Sequence, residues 1–343
     1  MRSTYEQSKL KLDSLKRYVD NLDTLNWVIL QYSQGMFDGK PTLDINLTEK
    51  KVYDYSLAII QLYGIFENFL ECIVCAYLSA LSKQITLYQN LPETVREHNL
   101  SLSAKLLGNN FSKYDSVTPE ELVRNLHSCF DVASDSYCLN ITAFRQHASN
   151  FREDSMREFL HNAGICNVDK MISTNEKLKA FLGITSGESV PLSKYFEYLK
   201  DLVQRRNIVA HGEMEDNILS SAWLKQYIEY ISLLMDSIYD AVLDTYYALM
   251  IKNGSAKYLG QPIKTFGDSI VGINSKNTAI KVGHILIARN AEGVLYWGKI
   301  ESMQINNIPT EEVTAEQAVA IGIKTTFKVK QQYNYYIYWD KYV

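Results

Sequence analysis

The segment Gln204-Arg-Arg-Asn-Ile-Val-Ala-His-Gly212 holds the residues best suited to chemistry. Asn207 and His211 are four apart, so on a helix they share a face. Arg206 precedes Asn207, and its long side chain reaches the same region. Ile208 and Val209 remain available for a core. An imidazole can take or give a proton near neutral pH. A guanidinium presents a planar set of donors to charge growing on a phosphate. A carboxamide can orient the imidazole or contact the phosphate. RNA cleaved through its own 2′-hydroxyl needs these functions and no metal. On spacing alone the pattern is weak. An Arg in a surface ion pair and a His closing a helix is the plainer account of the same residues.

The elements that must position this segment read as helices. Apolar residues recur at helical spacing through Leu12, Leu15, Val19 and Leu22, which predicts a helix over residues 3–32. A turn-rich stretch follows at 34–41. A second long helix is expected over 49–82, with Thr48 as its N-cap, and its apolar character places it at the centre of a bundle. Shorter helices fill 85–190. Thr118-Pro119 starts one of them, Gly164 closes another over 154–163, and 183–191 reads as a loop. The helix bearing the motif is predicted over 192–211, with Gly212 as its C-terminal stop. A last helix runs over 220–252.

After Asn253-Gly254-Ser255 the period falls towards two, and β-branched and aromatic residues accumulate. Strands are expected over 279–289, 294–305, 324–329 and 333–338, with a hairpin turn at Asn290-Ala-Glu-Gly293. Short strands with little helix predict a small antiparallel barrel. Charge divides at the same place. Residues 255–343 carry 10 Lys and Arg against 7 Asp and Glu, a net of +3, whereas residues 1–254 carry 25 against 32, a net of −7. A net charge of −4 for the whole chain gives no overall nucleic-acid footprint, so any RNA site must gather its cations locally. In the basic half, Lys324, Lys328, Lys330, Tyr333 and Tyr335 are candidates for clamping single-stranded RNA. The other account is strand residues filling and lining a barrel.

Further candidates are weaker. Glu67 sits in a strongly apolar helix, where an unpaired carboxylate is costly, so it should have a partner. Arg205 adjoins the motif as a supporting cation. Cys72-x-x-Cys75 lies in an apolar helix without a second Cys or His pair, which favours buried thiols over a metal. His147 and His161 could be helper residues, although core or surface placement is the simpler account. No metal and no cofactor is called for. The chain shows no secretory h-region and no uninterrupted run of 18 apolar residues, and its five cysteines are irregularly spaced. A cytoplasmic protein with reduced thiols and no membrane association is expected.

Arg206-Asn207-x-x-x-His211 resembles the signature of the HEPN superfamily, and the surrounding helices extend the resemblance. Gln61-Leu-Tyr-Gly-Ile-Phe-Glu-Asn-Phe-Leu-Glu71 and Asn150-Phe-Arg-Glu-Asp-Ser-Met-Arg-Glu-Phe-Leu-His-Asn-Ala-Gly-Ile165 are similar to helices of the RiboL-PSP-HEPN group. The resemblance implies a metal-independent ribonuclease. Arg206 and His211 would lie near a homodimer interface, and two copies would form one site. It also implies that Glu67 faces the site, where it could pair with Arg206. Related proteins controlled by small nucleotidyltransferases carry a Tyr two residues after the His; here that residue is Glu213, so the resemblance does not extend to that control. The C-terminal half resembles more loosely the second-domain barrel of translation elongation factors, through Gly298-Lys-Ile-Glu-Ser-Met-Gln-Ile-Asn-Asn307 and Val319-Ala-Ile-Gly-Ile-Lys324.

The expected fold is α+β and multidomain. A HEPN-like all-α bundle occupies 1–252, including an extra helical region at 85–190, and a small antiparallel β-barrel occupies 256–343. The expected function is an endoribonuclease with Arg206, Asn207 and His211 as catalytic residues. The resemblance alone implies toxin-like or anti-phage use under an inhibitory or activating partner protein, and RNA such as tRNA is the expected substrate. The alternative is a non-catalytic HEPN-scaffold module or adaptor that binds RNA or protein.

Overall fold

The computed structural model describes residues 1–33, 45–108, 117–131, 136–185, 187–212, 218–314 and 318–339. The turn-rich stretch at 34–41 and Glu213 lie outside them. The chain forms two compact units, one of residues 1–82 and 86–242, the other of 83–85 and 243–343.

In the first unit, α1 (Arg2–Ser33) buries Leu12, Leu15, Val19 and Leu22, the stripe its spacing predicts. α2 (Leu47–Gln84) is buried on most sides over its middle, with Tyr63, Phe66, Phe69 and Leu70 at most 1% exposed. By length and hydropathy it could cross a membrane, and most of its apolar stretch is buried inside the protein. Its start corrects the expected cap. Asn46 Oδ1, not Thr48, accepts the Thr48 and Glu49 N–H groups at 3.0 and 3.3 Å. Asn at this place satisfies two donors that the first helical turn leaves open.

The region after α2 is helical, as expected: α3 (Glu93–Gly108), α4 (Pro119–Phe130), α5 (Glu153–Asn162), α6 (Val168–Thr174) and α7 (Glu176–Phe181). Thr118 Oγ1 caps α4 by accepting from Glu121 N, with Pro119 at the first helical residue. A buried polar knot ties α3 to α4. Asn140 N donates to Asn99 Oδ1 at 3.0 Å, and Asn140 Nδ2 donates to Ser103 Oγ at 2.9 Å and to Leu122 O at 3.0 Å. Such groups are tolerated inside because they are mutually satisfied. The motif helix is shorter than its sequence pattern. Leu192–Phe196 form a 3-10 turn after Pro191, and α8 spans Glu197–Ala210. α9 (Ser221–Lys252) completes the helices.

The second unit is an antiparallel sheet curled into a half-barrel. Its strands are β1 (Lys257–Gly260), β2 (Lys264–Phe266), β3 (Ile270–Ser275), β4 (Ile280–Lys281), β5 (Ile285–Arg289), β6 (Leu295–Ile305), β7 (Ile308–Thr310), β8 (Glu312–Val313), β9 (Val319–Thr325) and β10 (Asn334–Tyr338). The order is β1-β10-β5-β6-β9-β3-β2; β7 adds to β6, and β4 pairs with β8. The β5–β6 hairpin turns where expected, with Asn290 Oδ1 accepting from Val294 N at 2.7 Å. The strand expected over 279–289 is instead two strands, because Gly283 takes a left-handed φ of 88° between them. β9 begins five residues earlier than expected and ends at Thr325. The last turns of α9 pack in this unit, where Tyr246 and Tyr338 share a hydroxyl hydrogen bond at 2.9 Å.

Candidate active site

α8 buries Leu199, Leu202 and Val203, and the next residue in that stripe is Arg206. The guanidinium therefore emerges at the edge of the core. Its Cζ stands 5.4 Å from the ring centre of Tyr63 on α2. Tyr63 is buried, and its hydroxyl accepts from Phe151 N at 2.8 Å and donates to Glu67 Oε1 at 3.5 Å. Burial, reinforced by the Glu67 carboxylate, pushes the phenol well above its ordinary pKa, so the ring presents a neutral π face to Arg206.

Asn207, half-buried, has its Oδ1 occupied by two donors. Asn150 Nδ2 donates to it at 2.6 Å, and Arg206 Nη1 at 3.4 Å. Arg206 can only donate, which turns the Asn207 oxygen towards it, and Asn150 then meets that oxygen with its Nδ2. Among the described residues its Nδ2 has no protein partner. His211 is the C-cap of α8. Its N–H reaches Asn207 O at 3.0 Å, and Gly212 follows with φ 72° and donates to Val209 O at 3.1 Å. Glycine is favoured there because an L side chain disfavours that backbone region. Asn207, Ile208 and exposed His211 open on a groove of about 780 Å³, whose other walls include Arg152, Glu153, Phe196 and Lys200.

Glu67 does not pair with Arg206. Its carboxylate is 3.7 Å from His147 Nε2, and the link to Arg206 runs through the Tyr63 ring. Helix phase is the reason: Glu67 stands one turn after Tyr63, beyond the ring that Arg206 covers. His147 also meets Glu71 Oε1 at 3.0 Å, while Arg145 grips Glu71 Oε2 through Nε and Nη2 at 3.0 and 2.6 Å. With Ser149 O at 3.0 Å from Nδ1, both ring nitrogens of His147 face acceptors. His147 thus anchors the loop that delivers Asn150. Arg205 serves structure: it pairs with Asp201 at 2.6 Å and donates to Tyr55 OH at 3.2 Å. Cys72 and Cys75 are half-buried free thiols, and burial pushes Cys75 up to about 11.

The candidate RNA-clamping residues of the second unit are not free for RNA in the way expected. Tyr333 is buried and stacked on Tyr296 at 5.1 Å, and Tyr335 is fully buried with its hydroxyl bonded to the Lys330 backbone. Neither can stack on a base; both fill the half-barrel. Lys324 pairs with Glu301 at 3.0 Å and Lys328 with Asp268 at 3.4 Å, while Lys330 lies over the Tyr333 ring.

The profile of the RiboL-PSP-HEPN family matches residues 29–244, well over half of the chain. The protein belongs to the RiboL-PSP-HEPN family. No curated protein sequence matches it. The matched span contains Tyr63, Glu67, Asn150 and the whole of α8, so every residue around the motif is part of the HEPN region. Membership supports an RNase-like or RNA-related function. Sequence reasoning does not single out Asn150 and Tyr63. Both lie in the segments that carry the HEPN resemblance, but no spacing rule ties them to α8.

Proposed function

We propose that this HEPN protein is a metal-independent endoribonuclease that cleaves RNA by attack of the 2′-hydroxyl. The observation that carries the reading is the end of α8. An imidazole and an outward amide donor open on one groove, and a guanidinium with no ion-pair partner among the described residues touches that amide. The 2′-oxygen bonds to phosphorus and the bond to the 5′-oxygen breaks. The 2′ proton passes to a base and the 5′-oxygen receives a proton, leaving a 2′,3′-cyclic phosphate and a 5′-hydroxyl. His211 is the proton-transfer group, Arg206 stabilises the phosphorane charge, and Asn207 holds a phosphate oxygen through Nδ2. Acid and base are both needed, and each chain supplies one His211, so the working unit is a homodimer. Such an enzyme would be toxin-like or serve anti-phage defence, with tRNA among its substrates and a partner protein in control.

The test is to incubate wild-type, Arg206→Ala and His211→Ala protein with total RNA and tRNA in EDTA and to map new ends. Wild type should leave 2′,3′-cyclic phosphates, and each variant should be slower by about 10²- to 10⁴-fold. Cleavage abolished by EDTA would remove the reading. RNA retained but uncut by wild type would favour a binding module on the same scaffold.

A further inference from the structure

We infer that Arg152 and Lys200 form a phosphate subsite that seats a flanking nucleotide of the RNA strand beside the Arg206, Asn207 and His211 centre; this rests on the ribonuclease reading. The groove extends away from His211 along α8. Lys200, Gln204, Asn207 and His211 are spaced by four, three and four residues and all line it. They share one face of the helix over roughly 16 Å of its axis. A single bound phosphate does not need that length, whereas a strand does. Arg152 lines the same groove from the start of α5. It is two residues from Asn150, whose side chain is bonded to Asn207, so one hydrogen bond sets both its own loop and the catalytic amide.

Charge pairing leaves two cations at this end of the groove open to an anion. Three carboxylates line it, and each is held by a cation. Glu153 pairs with Arg157 at 2.6 Å, Asp154 with Arg157 at 3.3 Å, and Glu197 with Lys194 at 2.9 Å. Arg152 and Lys200 are exposed, and among the described residues neither side chain has an ion pair or hydrogen bond. Counting Arg157 and Lys194 with the lining, and Asp169, which Arg157 also meets at 2.7 Å, four cations meet four acids, and Arg206 then tips the balance to positive. The unit around them carries excess acid, yet Arg152 and Lys200 stand in one groove without an ionic partner among the described residues. Flexible, unpaired cations along a groove are the usual way to hold a sequence-independent phosphate backbone.

The experiment uses full-length His211→Ala as a slow-cleaving background and measures the affinity of a fluorescent single-stranded RNA between about 50 and 200 mM salt. Removing one phosphate-neutralising cation flattens the slope of log K against log salt by about 0.7 for a single strand. Adding Arg152→Gln and Lys200→Gln should therefore flatten it by about 1.4. Across that fourfold salt range the fall in affinity should shrink by about sevenfold. In the wild-type background the same pair should raise KM and leave kcat unchanged, as expected for loss of uniform binding. Both side chains are exposed, and the single variants, each expected to show half the effect, serve if the double variant does not fold. Lys324→Gln with Lys328→Gln should leave the slope as it is. Cleavage by wild type with an unchanged slope and KM in the Arg152 and Lys200 variants would overturn the subsite alone. No RNA affinity in the His211→Ala protein, with no cleavage by wild type, would overturn the ribonuclease reading and the subsite with it.

Discussion

Tyr63 joins the core to the candidate site through two different parts of its side chain, and two substitutions separate them. Tyr63→Phe keeps the ring under Arg206 and removes the hydroxyl. The Phe151 N–H, 2.8 Å from that oxygen and in a fully buried residue, then has no acceptor. Stranding a buried donor costs about 1–3 kcal/mol. For a folding unit of this size each kcal/mol lowers Tm by about 2–4 °C. Because the π face is retained, kcat/KM for RNA cleavage should stay within about threefold of wild type. Tyr63→Leu removes the ring as well. It forfeits a cation–π contact worth about 0.5–1 kcal/mol, a further two- to fivefold loss in kcat/KM if Arg206 makes that contact in the transition state. Calorimetry and initial cleavage rates read the two effects separately. An unchanged Tm in Tyr63→Phe would refute the buried-donor argument. Equal activity losses in Phe and Leu variants would show that the hydroxyl and Glu67, not the ring, place Arg206.

Gly298→Ala should destabilise the half-barrel by about 1–3 kcal/mol, because a Cβ there would overlap Thr326 Oγ1 and press on Phe327 Cδ1 and Thr325 Oγ1 at 3.1 Å. Gly322→Ala on β9 is the control: its Cβ meets only Gln304 O at 3.8 Å, so thermal unfolding should separate the two, and equal Tm values would refute the packing argument. The second unit should also lose stability in mild acid. Burial, with Lys281 adding to it, holds His284 below its ordinary pKa. Between that lowered value and the unfolded value near 6.5, the unfolded chain binds more protons. The contribution is therefore complete above about pH 6.5 and is lost as pH falls through the folded value. Thermal unfolding at about pH 7.5 and 5.5 should show a drop that His284→Gln reduces, and an identical drop in the variant would count against it.

The motif helix is legible in the sequence because its stripe of Leu199, Leu202 and Val203 and its glycine stop are local signals. Its beginning is not. Leu192 to Phe196 carry the same apolar spacing, but Pro191 and a 3-10 turn take up the first five residues, and periodicity does not distinguish a tight turn from the first turn of an α-helix. Glu67 shows the same division. That a carboxylate in an apolar helix needs a partner follows from desolvation; which partner it finds depends on a loop from another part of the chain, and His147 has no spacing relation to it. Asn150 is 57 residues from Asn207, so only the fold brings the two amides together. In the second unit, β1, β2 and β3 leave little trace in the pattern, because strands of three to six residues interrupted by glycines give little alternation to read.

Charge is the most misleading signal in the sequence, and its correction bears on where RNA should bind. The basic C-terminal half stands out because its net charge is +3, against −7 for the helical part. Net charge counts cations that are already engaged. Lys324 and Lys328 each face a carboxylate, Lys330 lies over a tyrosine, and the two candidate tyrosines are interior. In the acidic helical unit, the acids of the groove wall are held by Arg157 and Lys194, while Arg152, Lys200 and Arg206 keep no ionic partner among the described residues. A phosphate approaching Lys324 or Lys328 must compete with those carboxylates; one approaching the groove meets cations that lose no ion pair on binding it. Exposed pairs are individually weak, so the difference per residue is small. It is repeated at three side chains around one histidine, and that coincidence, rather than total charge, favours α8 as the place where the proposed ribonuclease would hold RNA.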